Sequence, residues 1–97
     1  MAGTEYVIGS RITTEVDFRV GGSAQDPVTV RCLVKAPGSE AFTVEYPADD
    51  MDRLDVGVYR YEFSLGVVGP WAVRWEGSGD VEGVVEDTFQ CTPSSVL

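Results

Sequence analysis

From Arg11 to Val20 the chain alternates without a break. Ile12, Thr14, Val16, Phe18 and Val20 fall on one side, and Arg11, Thr13, Glu15, Asp17 and Arg19 on the other. A period of two sends successive side chains to opposite faces, so this segment predicts a strand with one face buried and one wet. The rhythm returns at 28–35, where Val28, Val30, Cys32 and Val34 share a face, and at 41–46, where Phe42, Val44 and Tyr46 point inward. A fourth strand is expected over 58–65, with Tyr59, Tyr61, Phe63 and Leu65 on one side. A fifth spans 71–76, setting Trp71, Val73 and Trp75 against Ala72, Arg74 and Glu76, and a last strand near 82–91 closes on Phe89 and Cys91. Tyr6, Val7 and Ile8 fit either a short preceding strand or an arm that packs on a neighbour.

The connections carry turn chemistry. Gly21 to Pro27, Ala36-Pro37-Gly38-Ser39, Gly66 to Pro70 and Gly77-Ser78-Gly79-Asp80 are rich in residues that set or permit turn dihedrals. Pro47 to Asp55 breaks the period and carries Asp49, Asp50, Asp52 and Asp55; it reads as a loop or single helical turn, with Met51 and Leu54 facing the core. Six or seven short, evenly spaced strands without a helix point to an all-β protein. The architecture expected is an immunoglobulin/fibronectin-type antiparallel β-sandwich of about seven strands, with a small five-stranded barrel as the competitor. Residues 1–10 then form an N-terminal arm or edge strand, 11–91 the sandwich and 92–97 a C-terminal tail. The core candidates are Phe18, Cys32, Phe42, Tyr61, Phe63, Trp71, Trp75 and Phe89.

Asp55-Val56-Gly57-Val58-Tyr59-Arg60-Tyr61 reads D-x-G-x-Y-x-Y. In immunoglobulin-like domains a tyrosine two residues before the second core cysteine hydrogen-bonds back to the backbone. Tyr59 is the candidate for that tyrosine corner, and Tyr61 takes the place of the cysteine. The plainer alternative is an Asp/Gly turn feeding an aromatic strand.

Length and charge narrow the function. Ninety-seven residues make one domain with a single modest core. Seven basic residues face sixteen acidic ones, for a formal charge of -9. A nucleic-acid backbone or an anionic membrane surface attracts the opposite sign, so neither is an expected partner. The charge is uneven: residues 1–48 carry six acids and four bases, net -2, and residues 49–97 ten acids and three bases, net -7. Glu76, Asp80, Glu82, Glu86 and Asp87 gather around the last turn and strand, where they serve either a basic partner or solubility. The first ten residues lack the basic and apolar regions of a secretory signal.

Catalytic chemistry finds few handles. Without histidine there is no Ser-His or Cys-His pair, and two cysteines without further soft ligands make no zinc site. Cys32 reads as a small buried hydrophobe; Cys91 meets it only if the two align across the sandwich. Asp50, Asp52 and Asp55 faintly resemble a calcium loop, but Asp55 occupies the position that needs glycine and no Glu closes it. No catalytic, cofactor-binding or metal-binding residues are assigned, and no cofactor is expected.

Three stretches together carry a family likeness: Asp26-Pro27-Val28-Thr29-Val30, Gly57-Val58-Tyr59-Arg60-Tyr61, and Gly69-Pro70-Trp71-Ala72-Val73-Arg74-Trp75-Glu76-Gly77-Ser78-Gly79. With the closing strand to Phe89 they resemble small immunoglobulin-like structural proteins of tailed bacteriophage virions, over residues 12–91. That resemblance implies a non-enzymatic virion component assembled in the host cytoplasm, with other virion proteins as partners, foremost the major capsid protein. Capsid decoration is the leading role, head-to-tail connector or tail accessory protein the second. An immunoglobulin-like recognition module for host protein or glycan is the alternative from another class. In the decoration role Tyr6, Val7 and Ile8 are the interface candidates, adding an edge strand to a neighbour.

Overall fold

The computed structural model describes residues 4–79 and 83–96. Among them ten strands form: β1 (Glu5–Val7), β2 (Arg11–Asp17), β3 (Arg19–Val20), β4 (Ser23–Ala24) and β5 (Thr29–Lys35), followed by β6 (Phe42–Tyr46), β7 (Asp52–Asp55), β8 (Val58–Ser64), β9 (Gly69–Ser78) and β10 (Gly83–Thr92). Asp80 and Glu82 of the acidic group, with Met1 to Gly3 of the arm, lie outside the described residues.

One sheet has the order β1-β10-β9-β5-β6 and a second the order β2-β8-β7; β3 and β4 make a separate hairpin. Every pairing is antiparallel except that of β1 with β10. The two sheets share one core. Ile12 and Val16 of β2 and Tyr59 and Phe63 of β8 meet Val30, Cys32, Val34, Val73, Trp75 and Phe89 of the larger sheet. Each fully buried large apolar side chain contributes about 1.5–3 kcal/mol, and β9 supplies the largest share, with Trp71, Val73 and Trp75 all inward. Gly77 continues that inward row without a side chain because the Phe18 ring lies there. A Cβ on Gly77 would stand 2.7 Å from Phe18 Cε1.

Alternation gives the facing of a residue, and burial depends on what stands opposite. Phe42 has the inward parity of Val44 and is paired with Val34, yet it is 44% exposed. It stands at the end of the outermost strand of a five-stranded sheet whose partner has three, and is only partly covered. Tyr61 is half-buried and packs on the rim of the core. Val20 and Val28 also share the predicted inward faces and are exposed. Val20 belongs to β3 of the short β3–β4 hairpin and Val28 just precedes β5, so neither lies in the long strand whose alternation predicted it inward. Residues 52–55 form a strand, not a helical turn: Met51 is buried as expected, but Leu54 is exposed. All four residues of β7 are exposed, which removes the alternation that would have revealed it.

Candidate functional site

The densest polar cluster surrounds Asp26, on the connection between β4 and β5. Its Oδ1 accepts from Arg53 Nε at 3.1 Å, the Gly57 backbone N–H at 2.8 Å and the Tyr59 hydroxyl at 2.8 Å. Its Oδ2 accepts from Arg53 Nη2 at 2.8 Å, completing a bidentate pair. Such charge-assisted bonds are about twice as strong as neutral ones. The Arg53 hydrogen bonds, then the Gly57 N–H, hold the Asp26 carboxyl well below the usual carboxylate range. Burial, with the bond to Asp26, pushes the Tyr59 hydroxyl up to about 12.

The geometry follows from Gly57. The loop from β7 to β8 is two residues long, and Gly57 sits in it at φ 75°. A Cβ there would stand 2.5 Å from the Phe18 carbonyl oxygen. Without one, the backbone passes close enough for Phe18 N to donate to Gly57 O at 2.8 Å, while Gly57 N points at Asp26. Asp55 Oδ1 accepts from Val56 N and steadies the same turn.

Tyr59 therefore does not make the expected tyrosine corner. Its hydroxyl bonds to a side-chain carboxylate 33 residues upstream, not to nearby backbone. The D-x-G-x-Y segment is the Asp/Gly turn of a hairpin, and its tyrosine is the first inward residue of β8. In the sequence Asp26 stands out only as part of a likeness motif and not as a polar anchor, because its partners lie 27 to 33 residues away. The available signal was an Asp-Pro pair placed just before a strand.

Beside this cluster opens a cleft of about 360 Å³, lined by Asp26, Pro27, Val30, Tyr46, Arg53 and Tyr59. Its carboxylate is already engaged by four hydrogen bonds and held ionised, so it has little basicity left for proton transfer. Arg53 is committed to the same pair. The cluster fastens the β4–β5 connection to the β7–β8 turn.

The other candidates do not converge here. Cys32 and Cys91 are both buried free thiols, and burial pushes the Cys32 thiol up to about 12. They share one sheet on strands that flank β9, opposite Trp75 and Gly69. Six residues along a strand is about 20 Å, so the condition for the two thiols to meet is not fulfilled. Asp52 pairs with Arg60, and Asp49 Oδ2 accepts from Glu45 N. Among the described residues no three His, Cys, Asp or Glu side chains gather to hold a metal. Tyr6 and Val7 pair in register with Cys91 and Thr92 of the same chain, and the Tyr6 ring meets Phe89 edge-on at 5.5 Å. On the outer face of β9, Arg74 bridges Glu76 and Glu86, each at 2.7 Å.

Fold and site together define an all-β protein of antiparallel sheets around a single aromatic core. No family model matches the chain, and no curated protein matches it. A solved structure that aligns is the crystal structure of a "putative glycoside hydrolase" from Bacteroides vulgatus ATCC 8482, 19% identical with a TM-score of 0.61. The alignment covers 95% of this chain and 17% of that one, so the likeness is one of fold within a much longer protein.

Proposed function

We propose that this chain is an immunoglobulin-type β-sandwich serving as a non-enzymatic structural protein of a tailed-phage virion, in the first place a decoration protein docked on the major capsid lattice. The strand order supports the sandwich type. β2, β8 and β7 occupy the places of B, E and D, and β5, β9 and β10 those of C, F and G, with chain crossings between sheets at β1–β2, β2–β5, β6–β7 and β8–β9. The observation carrying the role is that the resemblance motifs coincide with structural ones. Asp26 anchors the polar cluster, Gly57 makes its turn, and the Gly69–Gly79 run is the central strand with both tryptophans inward. The engaged state of Asp26 and Arg53 favours a scaffold over a catalyst.

The test is cosedimentation of the purified protein with capsids and tails of the virion, followed by imaging of the bound particles. Saturable binding with regular density across the shell is the expected result. Density confined to the neck moves the role to connector. No association with any particle component overturns the reading and leaves the recognition module.

A further inference from the structure

Most sheet edges of this molecule are blocked. On β6 the Glu45 N–H donates to Asp49 Oδ2 and its carbonyl accepts from Asp49 N, so a loop seals the Glu45 end of that five-residue edge. β7 is four residues long and irregular between Arg53 and Asp55. β1 is three residues long and covers β10 only from Gln90 to Thr92; ahead of it the Thr88 N–H is taken by Asp87 Oδ1, while the outward groups of Val84 and Glu86 have no partner among the described residues. Short, bulged or covered edges are how proteins avoid pairing with other chains.

β2 has none of these protections. It is seven residues long and regular, and β8 is its one partner among the described residues. Beyond its two ends Leu65 N donates to Ser10 O and Phe18 N to Gly57 O. Even-numbered residues thus aim their backbone groups at β8, and alternation turns those of Arg11, Thr13, Glu15 and Asp17 outward. No backbone or side-chain bond reaches those outward groups among the described residues. All four residues are exposed, and a narrow cleft of about 70 Å³, bordered by Ile12, Thr13, Thr14, Val73, Asp87 and Phe89, runs beside the strand.

We propose that β2 is a homodimerisation edge, pairing antiparallel with β2 of a second copy around a two-fold axis at Thr14. The sequence of the strand is complementary to its own reverse. Centred on Thr14, Arg11 stands opposite Asp17 of the second copy, Ile12 opposite Val16 and Thr13 opposite Glu15, and symmetry repeats each pair. The outward residues all fall at the closely bonded positions, where each opposed pair exchanges two hydrogen bonds. Neighbouring registers serve less well. Centring on Glu15 sets Glu15 against itself and Arg11 against Arg19, and centring on Thr13 leaves Asp17 opposite Gly9. The product is a continuous six-stranded sheet, β7-β8-β2 joined to its symmetry copy. This inference does not depend on the virion reading.

Sedimentation equilibrium at about 0.15 M salt, where screening extends over about 8 Å and mutes the -9 charge of each copy, tests it on the full chain. The unaltered protein is expected to dimerise with rising concentration. Thr13→Pro removes an outward N–H without touching the β8 ladder, and is expected to give a folded monomer by circular dichroism. R11D and D17R each set like charges opposite one another and weaken self-association by about tenfold or more; an equimolar mixture of the two restores a one-to-one dimer. A protein monomeric at every concentration up to the millimolar range overturns the proposal. So does a dimer indifferent to T13P, or single variants whose mixture fails to associate.

Discussion

The two ends of the core shared by the two sheets are held by different physics. At one end Tyr61, Phe63, Trp71 and Phe89 lie in a stacked series with centroids 5.9–6.3 Å apart, and Tyr6 meets Phe89 edge-on. A single polar bond, Trp71 Nε1 to Val67 O at 2.9 Å, orients the series. At the other end the aromatic contacts of Tyr59 with Phe18 and Tyr46 are subordinate to the Asp26 cluster. The first end gains from burial and dispersion, which are non-directional and tolerate pH. The second depends on one ionised carboxylate whose donors come from three places in the sequence. Truncation should harm the first most, and acid the second.

The largest effect is expected from Trp71→Ala. Removing a buried tryptophan costs about 3–5 kcal/mol, a large part of the usual 5–15 kcal/mol total, and urea unfolding at neutral pH measures it. Gly57→Ala comes next, at about 3 kcal/mol, because a positive φ and a backbone clash with Phe18 both oppose it. Its thermal midpoint should fall while Gly38→Ala, at a positive φ with nothing near, falls less. Asp26→Ala strands four donor groups on three residues and should cost about 2 kcal/mol, tempered by the solvent that reaches this partly exposed group. Tyr59→Phe, which leaves Asp26 its other partners, should cost about 1 kcal/mol.

Acid separates the two ends without mutation. The folded Asp26 carboxyl is depressed below its ordinary value of 3.8. Its contribution is therefore complete above that value and lost as pH falls from there toward the folded one. D26N should remove this acid slope, and W71A should keep it. In alkali the sign reverses. Tyr59 is raised from 10.0 to about 12 and Cys32 from 9.0 to about 12, so the unfolded chain ionises first and stability declines as pH climbs from about 9. Equilibrium unfolding across the pH range checks both limbs.

The long strands were legible because each has one face in water. Trp71, Val73 and Trp75 follow strict alternation, and so do Val30, Cys32 and Val34; both sets are buried. Parity failed where the strands end. Phe42 keeps the parity of Val44 at the end of an edge strand and stays 44% exposed, while Val20 and Val28 fall outside the long strands whose parity predicted them inward. β7 was illegible because it buries neither face. The Asp26 cluster was hidden for another reason. Sequence pattern reports local spacing, whereas Arg53, Gly57 and Tyr59 reach Asp26 only after β7, β8 and the β4–β5 connection have docked.

The parallel pairing of β1 with β10 also sets how the molecule carries load. Glu5, Tyr6 and Val7 run alongside Gln90, Cys91 and Thr92 in the same direction. Tension applied between the chain ahead of β1 and the chain beyond β10 pulls the two strands past each other along their length. Their hydrogen bonds are then strained in shear, all together, and cannot be unzipped one at a time. The Tyr6 ring, edge-on to Phe89, lies across that sliding path.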